Sequence, residues 1–405
     1  MNILYIAYSC SPVRGSEDKI GWNIALTASE IHNVFVITKE EHRKDIEAYI
    51  KNNGISNIKF FYVDIPKIYK KVFKGALYSG RLNRWQKRAF PVARKICSDF
   101  SIDIIHQITP VEFRAVGDYG KIENIKYVFG PIGGGEQLPK GLKYYTKGNR
   151  LTESVRAMAN RLYRFKFRLT NKFNKVDCVM YANRETKDYL SRLNIKGNVL
   201  YSEIGLSQTE LQVSDSADIL PEHKEKNCHL LVAGRTAYRK GHSLLLDALK
   251  SLPDSADYQC RIVGAGPELQ KLKAKCKSLG LEKRVVFTGR IPFDQMTDEY
   301  RNADVFIMPS LRETTGTVVL EAVSKGLPVV TINRFGGSLI VDNEIGWVYD
   351  GSSKQEFIDN LTKAISECLS NPQDVARKGM NARVKATDYL WEEKVRFYTD
   401  IYKSL

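Results

Sequence analysis

Apolar strand-like runs alternate with helical patterns almost from one end of this chain to the other. That habit confines it to parallel sheets with helices on both faces. In the first half the runs are Ile3–Tyr8, Val34–Thr38, Ile58–Val63, Ile102–His106, Ile125–Phe129, Cys178–Tyr181 and Val199–Tyr201. In the second they are His229–Ala233, Tyr258–Val263, Val285–Thr288, Val305–Met308, Val329–Ile332 and Gly346–Tyr349, each followed by a glycine turn or a helix. Between the halves, Leu206 to Lys226 is polar and acidic, holds Pro221 and has no periodicity, which reads as a linker. The expected domains are therefore residues 1–205 and 206–385, an ordinary division for 405 residues. An amphipathic helix, Trp391–Tyr402, lies in the remaining residues 386–405 and is expected to pack back on the first domain.

Composition removes several function classes. No apolar run approaches the roughly 18 to 20 residues that span a bilayer, and the start MNILYIAYSCSP lacks the basic region and cleavage site of a signal peptide, so a cytoplasmic protein is expected. The seven cysteines are scattered and never in Cys-x-x-Cys spacing, which argues for reduced structural thiols, against a disulfide framework and against zinc. A net charge of +16 asks for an anionic partner. From Pro66 to Ile96 ten Lys and Arg residues, among them Lys67, Lys70, Lys71, Lys74, Arg84 and Arg88, stand without an acid among Tyr69, Phe73, Tyr78, Trp85 and Phe90. Between Lys140 and Lys175 a second run, including Arg156, Arg161, Arg164, Lys166 and Arg168, surrounds Tyr144, Tyr145, Tyr163, Phe165, Phe167 and Phe173 with Glu153 as its one acid. Basic and aromatic residues on helical segments suit a peripheral protein on an anionic membrane surface. No RNP-like, zinc-finger or helix-turn-helix signature supports nucleic acid as the partner.

The second half carries the chemistry. Between the strand ending at Pro309 and a helix expected to begin near Gly316 lies Arg312-Glu313-Thr314-Thr315. Free N–H groups and the dipole at such a helix start form an anion site, suited to phosphate. Glu313 before the helix and Glu321 about a turn and a half inside it can then meet hydroxyls on either side of the phosphates. Arg235 ends an earlier strand and Lys240 stands before the next helix, a cation pair suited to a diphosphate. Gly264 and Gly266 form a turn where backbone can approach a ligand, and the backbone around Arg290 can read a base edge.

Gly234-Arg235, Lys240-Gly241, Val263-Gly264-Ala265-Gly266-Pro267, Phe287-Thr288-Gly289, Asp304-Val305-Phe306 with Pro309-Ser310, and two glutamates eight apart, in that order, resemble the retaining glycosyltransferases of family 4. The resemblance implies a GT-B fold, two doubly wound Rossmann-like domains facing a central cleft, with the C-terminal helix crossing back to the first. It implies that Arg235 and Lys240 hold the donor diphosphate, that backbone at Gly316, Thr317 and Val318 meets phosphate, that Glu313 contacts sugar hydroxyls and that Glu321 contacts the ribose. Glu313-Thr314-Thr315-Gly316 stands where the family often has Glu-Gly-Phe-Gly, so the sugar pocket differs. In the first domain, Gly15, Ser16 and Glu17 resemble the family's glycine loop, and Gly134, Gly135 and Glu136 a second such loop. These form the expected acceptor side. Asp103-Ile104-Ile105-His106 matches the segment whose histidine reaches the donor sugar.

The implied reaction moves a sugar from a nucleotide diphosphate, with uridine or guanosine as the base, to an acceptor hydroxyl of a lipid-linked or envelope glycan such as lipopolysaccharide or capsule. Configuration is retained if the leaving phosphate accepts the acceptor's proton on the same face. No Asp-x-Asp stands near the loops, so neither metal nor other cofactor is expected. The rivals are a catalytically silent protein that binds a nucleotide sugar, and a phosphorylase or epimerase with the same fold. A nicotinamide dehydrogenase fits poorly, because Ser11–Glu17 lacks Gly-x-Gly-x-x-Gly.

Overall fold

Runs of branched apolar residues without polar alternation make strands that are covered on both faces, and these belong in parallel sheets. The computed structural model describes residues 1–66, 68–69, 78–139, 141–142, 145, 148–212, 227–292 and 295–405. They form two units, one made of Met1–Glu136, Leu151–Gly205 and Trp391–Leu405, the other of Gln137–Arg150 and Leu206–Leu390. Of the residues singled out above, Lys67, Lys70, Lys71, Phe73, Lys74, Lys140, Tyr144 and most of the expected linker lie outside the described residues.

The first unit contains β1 (Asn2–Ala7), β2 (Asn33–Lys39), β3 (Ile58–Val63), β4 (Ile104–Thr109), β5 (Lys126–Ile132), β6 (Cys178–Tyr181) and β7 (Gly197–Leu200). All pair in parallel in the order β3-β2-β1-β4-β5-β6-β7. Its helices are α1 (Glu17–Ala28), α2 (Arg43–Asn53), α3 (Tyr78–Asp99), α4 (Arg150–Leu169) and α5 (Arg184–Leu190). The order reverses between β1 and β4, and an open α/β sheet binds ligands at the carboxyl ends of its strands at such a point. β4 runs three residues past its expected end at His106, because Gln107 and Thr109 look polar yet are satisfied inside. Gln107 donates to the Ala115 carbonyl at 2.9 Å and accepts from Gly117 N at 2.9 Å, while Thr109 Oγ1 donates to the Ser9 carbonyl at 2.9 Å.

The C-terminal helix, Trp391–Lys403, belongs to this first unit. Trp391 lies so close under Gly205 that a Cβ there would sit 2.7 Å from the indole. Farther along, Lys394 Nζ donates to the Ser202 carbonyl at 2.6 Å, Phe397 stacks on Tyr201 at 4.0 Å, and Tyr402 reaches the hydroxyl of Tyr5 on β1 at 3.4 Å. Burial in this seam pushes the carboxyl of Glu203 up from 4.5 to about 8. The folded state therefore holds a proton that the unfolded chain releases as pH rises between those values, and the stability this contributes fades over that window. Glu203→Gln is expected to flatten the loss, so that its melting temperature exceeds that of the parent at pH 8 but not at pH 4.5, read by circular dichroism.

The second unit contains β8 (Cys228–Ala233), β9 (Tyr258–Val263), β10 (Val285–Gly289), β11 (Val305–Met308), β12 (Val329–Ile332) and β13 (Gly346–Tyr349), in the order β10-β9-β8-β11-β12-β13. Around them stand α6 (Gln208–Gln212), α7 (His242–Lys250), α8 (Leu269–Ser278), α9 (Met296–Arg301), α10 (Thr317–Ser324), α11 (Gly337–Ile340), α12 (Lys354–Ser370) and α13 (Pro372–Ala386). β11 and β12 are buried along their whole length. The described residues of Gln137–Arg150, expected in the first domain, belong to this unit instead. Leu142 is in this unit's core, Gly141 bridges Ser353, and the Tyr145 hydroxyl donates to Asp247 at 3.1 Å. Among the described residues no helix is long and apolar enough to cross a membrane.

Candidate functional site

Close backbone packing at the carboxyl ends of β8, β9 and β11 builds the site in the second unit. Gly234 (φ 138°) follows β8, and Gly264 (φ 134°) follows β9 so closely that a Cβ on it would lie 2.0 Å from the Gly234 carbonyl oxygen. The neighbouring turn carries Arg235 outward, its stem against Gly266, where a Cβ would meet Cγ at 3.0 Å. Gly241 (φ 73°) abuts the carbonyl of Pro309, the residue after β11, and a Cβ would fall 1.8 Å from its oxygen. The amides of Leu311 and Arg312 then donate to the Arg239 carbonyl at 2.8 and 3.2 Å. Two loops distant in sequence are thus stapled together.

The staple brings Lys240 Nζ into an ion pair with Glu313 Oε2, with Arg239 Nη1 at 3.5 Å from the same oxygen. Burial pushes the Glu313 carboxyl up, but the charges of Lys240 and Arg239 more than offset this and hold it below the usual carboxylate range. Three residues on, Gly316 (φ 93°) turns the chain into α10, and no side chain caps that helix. Its first-turn N–H groups, at Thr317 and Val318, carry the partial positive charge of a helix start. Inside α10, Glu321 accepts from the buried Tyr300 hydroxyl at 2.8 Å. Arg290 follows Gly289 (φ 74°) and is exposed.

The structure therefore joins Lys240 to Glu313 and places Arg235 against Gly266 in the turn beside them. Sequence reasoning missed Arg239 and Tyr300. Arg239 stood beside Lys240 in plain view, whereas nothing in Asp298-Glu299-Tyr300-Arg301 marks a residue that reaches Glu321. A cavity of about 890 Å³ also lies in this unit, lined by Cys228, Lys325, Leu327 and Pro328 at the amino ends of β8 and β12, the edge opposite to the site.

In the first unit the expectations need two corrections. His106 lies inside β4, wholly buried, where the pleat turns it toward the C-terminal helix. Its Nδ1 meets the Tyr402 hydroxyl at 2.5 Å and its Nε2 the Gly130 carbonyl at 2.8 Å, and burial pushes its pKa down to about 3. With both nitrogens engaged in the core, it has none to offer a sugar. Glu136 is 2% exposed, and its carboxylate accepts from Gly134 N at 2.8 Å, Asn183 Nδ2 at 2.7 Å and Arg156 Nη2 at 3.2 Å. It braces the loop from within. Gly134 and Gly135 are glycines for the same reason, because a Cβ would meet Glu112 Oε1 at 2.6 Å and Thr186 Cα at 2.8 Å respectively.

The loop after β1 is different. Gly15 has open space around it, and Ser16 is exposed at φ 57° and ψ −132°, a conformation L residues rarely hold. Glu17 accepts from Val111 N at 2.6 Å and Ser9 Oγ at 3.2 Å, tying the loops after β1 and β4, and burial raises its pKa.

Residues 217–384 match the family described as "Glycosyl transferases group 1". The second unit is a group 1 glycosyl transferase domain. A GDP-mannose-dependent alpha-(1-6)-phosphatidylinositol monomannoside mannosyltransferase of Mycolicibacterium smegmatis is 35% identical over 175 residues, which are 40% of this chain and 44% of that protein. The chain thus aligns with under half the length of that relative. Alpha-monoglucosyldiacylglycerol synthase of Streptococcus pneumoniae is 25% identical over 363 residues, 85% of this chain and 72% of that one. Among solved structures, sucrose-phosphate synthase from Thermosynechococcus elongatus superposes with a TM-score of 0.62 at 17% identity, covering 100% of this chain and 98% of that one, a likeness of fold.

Proposed function

We propose that the chain is a retaining, metal-independent glycosyltransferase, moving a sugar from a uridine or guanosine diphosphate donor to an acceptor hydroxyl of a lipid-linked or envelope glycan. The observation that carries this is the Lys240–Glu313 pair held between two stapled loops just before the uncapped start of α10. As the glycosidic bond to the donor breaks, negative charge grows on the leaving diphosphate. Arg235, Lys240 and the N–H groups of Thr317 and Val318 meet that charge in place, which is electrostatic catalysis without reorganisation. The cations do the work a metal ion does elsewhere. Glu313 fixes the Lys240 ammonium and offers its other oxygen to a sugar hydroxyl. Glu321, oriented by Tyr300, takes the ribose hydroxyls. The leaving phosphate accepts the acceptor's proton on the face it departs from, so no protein nucleophile is needed.

Two relatives, a phosphatidylinositol monomannoside mannosyltransferase and an alpha-monoglucosyldiacylglycerol synthase, favour a lipid acceptor. We place the protein at the cytoplasmic face of an anionic membrane, with Gly15, Ser16 and Glu17 on the acceptor side. Thermal shift against a panel of nucleoside diphosphates and nucleotide sugars, with and without chelator, is expected to pick out one base insensitive to the chelator. Loss of the shift on chelation would overturn metal independence. Binding without sugar hydrolysis or transfer would favour the silent partner. Tyr300→Phe is expected to raise the donor KM about fivefold, the loss of one hydrogen bond of about 1 kcal/mol, with kcat unchanged in initial-rate kinetics.

A further inference from the structure

The two basic aromatic stretches differ in what they show to solvent. On α3, Trp85 is fully buried and donates from Nε1 to the Val63 carbonyl at 2.9 Å, and Phe90 packs on the core. Trp85 and Phe90 thus serve the fold. On α4, Tyr163 and Phe167 turn inward likewise, but Leu151, Met158, Leu162, Phe165 and Leu169 are between 57% and 80% exposed. Among the described residues no other helix carries more than two exposed large apolar side chains. At 3.6 residues per turn these five fall within an arc of about 60° along nearly the whole helix. Such a stripe is an interaction surface, because scattered surface apolar residues do not line up.

Charge decides the occupant. Arg161 and Arg168 border one side of the stripe and Lys166 the other, all exposed and without an ion pair among the described residues. Arg150 is exposed at the start of the helix, while Arg156 is used internally on Glu136 and Arg164 on the Tyr189 carbonyl at 3.1 Å. Glu153, the one acid, lies on the inward side of the helix, away from the stripe. A second copy of this face would bring cations against cations, whereas a surface of anionic headgroups over acyl chains meets both parts.

We propose that α4 is a monotopic membrane helix that lies in the plane of an anionic bilayer, its five apolar side chains below the headgroups and Arg161, Lys166 and Arg168 at their level. This deepens the reading above by naming the face that meets the membrane, and it leaves α3 as a helix of the core. The test is flotation of the full chain with phosphatidylcholine vesicles, with and without phosphatidylglycerol, in the absence of donor and acceptor. The parent is expected to float with the anionic vesicles and, at low salt only, to lose binding when Arg161, Lys166 and Arg168 are changed to glutamate. Leu162→Gln with Phe165→Gln is expected to lower binding about tenfold or more, and Phe165→Trp to shift its emission to the blue on binding.

A parent that stays with the soluble fraction, or a double variant that floats as before, overturns the proposal. So does a parent that sediments as a dimer which the double variant splits, since the stripe is then a self-interface. The donor thermal shift of each variant reports that it is folded. Because flotation needs neither donor nor acceptor, failure here leaves the transfer chemistry standing, and an inactive Lys240→Ala protein is expected to float like its parent.

Discussion

Replacement of Lys240 by alanine is expected to lower sugar transfer on the order of a thousandfold, the scale seen when one preorganised group facing a developing charge is removed. The donor is held by other groups as well, so the fall belongs mainly in kcat. Glu313→Ala is expected to cost as much by two routes, because it removes the sugar contact and lets the Lys240 ammonium and the Arg239 guanidinium drift from the places the carboxylate gives them. Glu313→Gln separates the two. It keeps an acceptor oxygen but loses the charge, so a small residual rate above Glu313→Ala is expected. Initial rates with a radiolabelled donor, beside melting curves to show that each variant is folded, provide the check. Normal turnover by Lys240→Ala would remove the diphosphate clamp from the mechanism.

Glu136→Ala is expected to act on stability rather than on chemistry. The carboxylate is buried and holds Gly134 N, Asn183 and Arg156 together, and its removal leaves those donors and a largely covered guanidinium without their partner. Breaking a buried ion pair from one side costs about 3–5 kcal/mol. At ~2–4 °C per kcal/mol for a domain of this size, the first unit should melt roughly 10 °C lower. Glu136→Gln, which keeps an acceptor for Gly134 N, should recover part of this. An acceptor-binding glutamate would behave in the opposite way, with an unchanged melting temperature and a raised acceptor KM.

These two residues show what could be read from the amino-acid order. Lys240 and Glu313 were legible as neighbours, because each lies in a loop after a readable apolar run and loops at the carboxyl ends of parallel strands converge, as their ion pair shows. Glu136 and His106 were legible as residues and not as roles. A glutamate after three glycines reads as a ligand group until Asn183 and Arg156, 47 and 20 residues away, are found on its oxygens. For His106 the ligand role came from the resemblance alone, and β4 continues past it, carried by polar residues that pair inside. Residues 137–150 escaped for a related reason. Nothing local records that Leu142 belongs under the second sheet rather than the first. In α4 the basic and aromatic residues were visible, but which of its two faces had a partner depended on the core it met.

Because Trp391–Lys403 completes the first unit, that unit cannot finish folding when its own first 205 residues have been made. Its seam at Gly205, Ser202 and Tyr5 stays open while the ribosome produces the whole of the second unit, whose sheet and helices need nothing that comes after Leu390. During synthesis the later unit is thus free to close before the earlier one, and the face of β1 and β4 that carries Tyr5 and His106, bare until Tyr402 arrives, is the surface that nascent-chain chaperones would meet.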